Sequence, residues 1–195
     1  AYKMVPAILL GIAAMVFSPY PAAMAVGLVW AASPIFAWAM SRTVDKRPSL
    51  GSADRAFLLH EAALIWRYFT DYLRPEDHFL PPDNVQEHPD VGVARRTSPT
   101  NIGLALLCVL SALDLDLAPR DKVLTLLSEM LSTIERMPKW NGHLLNWYNT
   151  ETLEPLRPHY VSTVDSGNLC GSLIALREGL LELGEEGTQL AGRAR

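Results

Sequence analysis

The chain has 195 residues and a net charge of −4 at pH 7, with 49% hydrophobic and 19% charged residues. It contains no basic run with interleaved aromatics, so no nucleic-acid partner is expected. The two cysteines, Cys108 and Cys170, sit in apolar, helix-like text. That pattern suits buried thiols in a reducing compartment better than a disulfide framework. His60, His78, His88, His143 and His159 are scattered, with no Cys/His spacing of the metal-binding kind, so neither a metal site nor a bound cofactor is expected.

Charge is distributed unevenly. Between Lys3 and Arg42 there is no charged residue. MVPAILLGIAAMVF is followed by Ser18-Pro19-Tyr20-Pro21, which interrupts any helix, and then by AAMAVGLVWAASPIFAWAM. The second run spans about 19 residues, close to the hydrocarbon thickness of a bilayer at 1.5 Å per residue. The first run is shorter. The expectation is a transmembrane hairpin of two helices with its linker over residues 1–47. Arg42, Lys46 and Arg47 follow the second run, and positive charge beside a span marks the cytoplasmic side. The polar remainder, residues 48–195, is therefore expected in the cytoplasm. A signal peptide cleaved after Ala23-Met24-Ala25 is the competing reading, and the second apolar run argues against it. A buried soluble hairpin is disfavoured by the length of the uncharged run. The chain does not begin with Met and stops in Ala-Gly-Arg-Ala-Arg, so it reads as a piece of a longer protein.

From Ser52, a candidate N-cap, a helical pattern carries Phe57, Leu58, Leu64, Ile65, Trp66, Phe69 and Leu73 to a stop at Pro75. A long Pro/Asp/Asn-rich loop follows, with Arg95 and Arg96 as a solvated pair or a bridge to Glu87 or Asp90. Loops of that length in compact domains are usually functional or disordered. Ser98-Pro99 reads as N-cap plus first helical residue. The helix it opens, TNIGLALLCVLSALDL, is apolar almost all round and so is expected to be buried. The next helix, from about Pro119 to Met137, is amphipathic, with Val123, Leu124, Leu127, Met130, Leu131 and Ile134 on one face. After it, LLNWY and LEPL flank Asn149-Thr150-Glu151-Thr152 and suggest a small β-hairpin. A last helix begins near Asp165, with a stripe of Leu169, Leu173, Ile174, Leu176, Leu180 and Leu181. Alternating inner and outer helices with long entry loops fit the opening of an all-α, (α/α)6 toroid whose loops line one mouth.

Two segments carry the most information: PPDNVQE…ARRTSPTNIGL over residues 81–104 and GHLLNWYNTETLEPLRPHYVSTVDSGNL over residues 142–169. With EDHFLPPDN and the apolar run ending WAASPIFAWAMSR, they resemble the cyclic β-1,2-glucan synthases at the end of their membrane region and the start of their glycoamylase-like middle domain. The resemblance implies a bacterial inner-membrane, multi-pass enzyme. In it, a glycosyltransferase uses UDP-glucose to build a linear β-1,2-glucan attached to the protein. The (α/α)6 toroid transglycosylates and closes the ring, and a phosphorylase-like domain trims chain length. The implied partners are the β-1,2-glucan chain, the lipid bilayer and the remaining domains of the parent chain. A membrane-anchored β-glucan glycosidase or phosphorylase, or a non-catalytic glycan-binding domain, is the alternative.

A glucan presents hydroxyls and flat apolar faces, so its site calls for carboxylates, amides and aromatic platforms. The candidate substrate-binding residues are Asp83, Asn84, Arg96, Asn101, Trp147, Tyr148, Asp165, Ser166 and Asn168, with Thr97 and Asn146 beside them. Trp147 and Tyr148 are adjacent, so one is expected inward and one toward the cavity. Asp165 can also serve as a helix cap. Retaining transglycosylation needs two carboxylates about 5 Å apart. No residue here identifies that pair, and the catalytic residues are expected beyond Arg195.

Overall fold

The computed structural model describes residues 4–41 and 49–194. The chain divides into two compact units, meeting at Ser49 and Leu50. Lys3, Arg42, Lys46 and Arg47, on which the expected membrane orientation rests, lie outside the described residues.

The first unit is a helical hairpin of α1 (Val5–Phe17) and α2 (Pro21–Met40). Pro21 occupies the first turn of α2, where its missing N–H costs nothing. The helices touch backbone to backbone. A Cβ on Gly11 would fall 2.6 Å from the Gly27 carbonyl oxygen, and one on Gly27 would fall 2.6 Å from that of Gly11. Among the described residues, only α2 is long and apolar enough to cross a bilayer. The 13 residues of α1 reach about 20 Å, short of a span of roughly 30 Å. The expectation of two spanning helices is therefore corrected to one candidate. Leu9, Leu10, Val16, Phe17, Leu28, Val29, Trp30, Ile35, Phe36 and Trp38 all point outward.

The second unit is helical with three two-stranded sheets. Its helices are α3 (Ser52–Tyr72), α4 (Pro99–Asp114), α5 (Arg120–Arg136), α6 (Thr163–Glu182) and α7 (Glu185–Arg193). α4 is the centre, with Ile102, Ala105, Leu106 and Val109 fully buried. It packs closely on α6, where a Cβ on Gly103 would lie 2.7 Å from Ser172 Oγ. Its N-terminus forms as the sequence indicates: the Asn101 amide donates to Ser98 Oγ (3.2 Å) and Pro99 opens the helix. The expected inward face of α5 is buried in full.

Other expectations shift. The N-cap of α3 is Gly51, and the Asp54 carboxylate accepts from the Gly51 N–H (3.1 Å), so Ser52 is the first helical residue and not the cap. Only Trp66 of α3 is buried, while Phe57, Leu58, Leu64 and Ile65 are exposed. On α6, Leu169, Leu176 and Leu180 are buried but Ile174 is exposed. α7 has no counterpart in the sequence reading. Arg193 holds it to α5 through Glu135 (3.0 and 3.1 Å), Ser128 Oγ (3.1 Å) and Ser132 Oγ (2.7 Å).

The strands fasten the loops. β1 (Val85–Gln86) pairs with β2 (Gly92–Val93), and β4 (Lys139–Trp140) with β5 (His143–Leu144), both antiparallel. The β4–β5 turn is Asn141-Gly142, both at positive φ (48° and 83°), the backbone a tight two-residue hairpin needs. The decisive pairing is β3 (Arg96–Thr97) with β6 (Tyr148–Asn149), in register Arg96↔Asn149 and Thr97↔Tyr148. The hairpin expected around residues 149–152 forms in short form: Tyr148 bridges Pro155, the Asn149 amide donates to the Glu154 carbonyl (3.0 Å) and the Leu156 amide donates to the Trp147 carbonyl (2.8 Å). Tyr148 thus pairs with the earlier loop on one edge and with the 154–156 segment on the other.

Candidate functional site

The β3–β6 pairing brings the two information-rich loops together at the N-termini of α4 and α6. A buried polar knot stabilises the junction from behind. Arg95 Nη1 donates to both oxygens of Asp77 (3.0 and 2.9 Å), and the fully buried Thr150 hydroxyl donates to Asp77 Oδ1 (2.6 Å). The Thr150 amide donates to the Arg95 carbonyl (3.2 Å). Arg95 therefore pairs with Asp77, with Glu151 nearby (3.5 Å), rather than with Glu87 or Asp90.

In front of the knot, the first turn of α4 reaches two carboxylates. Asn101 Nδ2 donates to Asp83 Oδ1 (3.3 Å). Arg96 donates to Asp83 Oδ2 from Nε (3.1 Å) and Nη2 (2.9 Å), and Asn84 Nδ2 donates to the same oxygen (3.0 Å). One residue earlier in α4, Thr100 Oγ1 donates to Asp165 Oδ1 (2.6 Å) and accepts from Asn168 Nδ2 (3.1 Å). The Arg96 guanidinium carbon sits 4.9 Å from the centre of the Trp147 ring, a cation–π contact that orients the indole.

Asn146 completes the circuit. With its amide nitrogen turned toward Asp165, it donates to Oδ2 (3.0 Å), and its oxygen accepts from Trp147 Nε1 (2.8 Å) and Tyr160 hydroxyl (2.8 Å). The Asn146 side chain is buried, so each of these bonds replaces lost water. A continuous network thus runs Asn84–Asp83–Arg96–Trp147–Asn146–Asp165–Thr100–Asn168.

Asp165 is not the cap of α6. Ser162 is, accepting from the Asp165 amide through Oγ (3.1 Å). The Asp165 carboxylate is thereby left to serve Thr100 and Asn146. Burial pushes its pKa up, but hydrogen bonds from Ser162, Thr100 and the backbone outweigh this and hold it below the usual Asp value. At neutral pH it is an anionic acceptor and not a proton donor.

All nine sequence-selected residues lie at or beside this junction. Ser166 sits one residue beyond Asp165 in the first turn, its amide donating to the Ser162 carbonyl (3.0 Å). Tyr148 is the correction. It is fully buried, its hydroxyl donates to the Pro138 carbonyl (2.6 Å) and accepts from the Leu145 amide (2.7 Å), and it therefore presents no face to a ligand. Trp147 is the outward member of the pair. Thr97 is also fully buried. Sequence reasoning passed over Thr100, Ser162 and Tyr160, whose roles depend on contacts between distant segments. Cys108 is no nucleophile: burial pushes its thiol up to about 11.

No protein-family model matches the sequence. The class is given by the fold. Residues covering 77% of the chain superpose on 36% of a protein assigned as a glucoamylase from Bacteroides fragilis NCTC 9343, with a TM-score of 0.64 at 20% identity. Similar superpositions relate the chain to the endo-β-1,2-glucanase of Chitinophaga pinensis, solved with sophorotriose and glucose (TM-score 0.59, 17% identity, 74% of this chain and 36% of that one). They also relate it to a β-1,2-glucanase of Parabacteroides distasonis (TM-score 0.59, 12% identity, 74% and 20%). The helical unit therefore has the glucoamylase-like fold, and the chain spans about a third of the first two of these structures.

In sequence, the chain is a relative of the cyclic β-1,2-glucan synthases. It is 48% identical over 151 residues to cyclic β-(1,2)-glucan synthase NdvB of Rhizobium meliloti (strain 1021), a match covering 76% of this chain and 5% of that protein.

Proposed function

We propose that this chain is part of a bacterial inner-membrane cyclic β-1,2-glucan synthase and contributes glucan-binding residues to the toroid that transglycosylates and closes the ring. The observation that carries the reading is the junction itself: two loops far apart in sequence, paired through β3 and β6, hold an aromatic ring, two carboxylates and four amides in one rim, its two hydrogen-bonded halves joined by the Arg96–Trp147 cation–π contact. That is the inventory a glucan chain requires. The identity to the Rhizobium synthase and the fold shared with β-1,2-glucanases support the same substrate class.

In this reading the helices that complete the toroid follow in the parent chain and cover the apolar faces of α3 and α6. Asp83 and Asp165, each anchored by protein donors with acceptor sites to spare, order the rim and accept hydrogen bonds from sugar hydroxyls, while the reacting carboxylates lie elsewhere in the parent chain. The α1–α2 hairpin belongs to the membrane region, with α2 crossing the bilayer and the helical unit on the cytoplasmic side. UDP-glucose is the donor for the parent's glycosyltransferase domain.

The test is product analysis in membranes containing the intact protein, supplied with UDP-glucose. Trp147→Ala and Asp165→Ala should each lower cyclic glucan at least about tenfold, the equivalent of one or two lost hydrogen bonds or a stacking contact, while linear protein-attached glucan still forms. Normal cyclic product from both variants would refute the site.

A further inference from the structure

A second concave surface adjoins the rim. It is a cavity of about 560 Å³ lined by Lys139, Trp140, Leu145, His159, Tyr160 and Val161, within the rough 300–1,000 Å³ range of ligand pockets. Its most unusual member is Trp140. The Asn141-Gly142 turn carries it on the tip of the β4–β5 hairpin, where its indole is 59% exposed. Tyr160, in the opposite loop, is 45% exposed. Two large rings thus border one concavity and stay open to solvent.

The polar groups narrow the ligand. Lys139 Nζ donates to the carbonyls of Ile134 (2.6 Å), Glu135 (3.0 Å) and Met137 (3.0 Å), so its charge closes the C-terminus of α5 instead of facing the cavity. His159 Nε2 is 3.2 Å from the Pro155 carbonyl, which makes Nε2 the donor and leaves Nδ1 as an acceptor in the neutral ring. No carboxylate lines the cavity. Aromatic faces with a few neutral acceptors suit an uncharged, hydroxylated ring better than a phosphate or a carboxylate.

Continuity fixes the occupant. The Tyr160 hydroxyl donates to the Asn146 side chain, whose nitrogen donates to Asp165, and the Tyr160 carbonyl accepts from the Asn146 amide (2.9 Å). The cavity and the Asp165 rim thus share one buried wall. We propose that this cavity is a further glucosyl subsite, with Trp140 and Tyr160 as its platform, occupied by a sugar unit of the same glucan chain that passes Asp165. The inference rests on the glucan-binding reading of the rim.

The experiment measures KM in the intact protein for linear β-1,2-gluco-oligosaccharides, one short series and one long. Trp140→Ala should raise KM for the long series about tenfold, the size of a lost aromatic contact, with kcat and short-chain KM unchanged. Trp140→Phe, which keeps a flat face, should restore most of the loss. If wild type processes both series and Trp140→Ala changes neither KM, or changes both equally, the subsite is refuted while the rim reading stands. If wild type binds neither series, the rim reading falls and the subsite with it.

Discussion

Tyr148 and Trp147 are neighbours in sequence, and the structure assigns them opposite work. Tyr148→Phe removes one hydroxyl and with it two part-buried hydrogen bonds, the one donated to the Pro138 carbonyl and the one accepted from the Leu145 amide. An ordinary hydrogen bond contributes about 0.5–1.5 kcal/mol, so the pair costs roughly 1–3 kcal/mol. Because β6 carries the pairing between the loops, the cost falls on local opening of the junction, a factor of roughly 5 to 150. Native-state hydrogen exchange on the intact protein reads this at two amides whose own bonds are untouched, Asn146 (to the Tyr160 carbonyl) and Thr150 (to the Arg95 carbonyl). Both should exchange faster by that factor, while KM for glucan under folding conditions stays within about twofold. Unchanged protection with a raised KM would refute the reasoning and return Tyr148 to the cavity.

Asp165 makes the junction acid-sensitive. Its folded pKa lies below the ordinary 3.8, so its contribution is fully present above that value and fades as pH falls below it. Protection of the Asn146 amide should decline over that acid window in wild type and show no such step in Asp165→Asn. In the hairpin, Gly11→Leu would drive a side chain into the Gly27 carbonyl, where a Cβ alone sits at 2.6 Å. Overpacking of about 1–3 kcal/mol is expected, visible as a lower melting temperature of the detergent-solubilised hairpin by circular dichroism, whereas Ala22→Leu should have little effect.

What could be read in the sequence followed from how local each signal is. The Ser98-Pro99 start, the apolar α4 and the stripe of α5 are set by residues within a turn or two of each other, and all three formed where expected, although α4 is not buried all round: Leu104 is exposed. The strands could not be read that way. A two-residue strand has no periodicity, and β3 finds β6 about 50 residues away. A like separation hides Thr100, which joins the network only because α6 arrives beside it. Asp165 misled for a different reason: Ser162 and Asp165 both have cap chemistry, and only the backbone start of α6 separates the roles. Asn141-Gly142 was legible as a hairpin turn and was passed over. The outward apolar face of α3 matched a core stripe, since periodicity reports an apolar face but not what covers it.

The central claim is that the β3–β6 junction binds glucan. Its most direct test is a structure of the intact protein with a linear β-1,2-glucan bound. Density for a glucosyl unit against the open side of Trp147, with a sugar hydroxyl within hydrogen-bonding distance of Asp165 or Asp83, is the predicted result. A well-ordered glucan that crosses the domain without touching Asp83, Trp147 or Asp165 would contradict it.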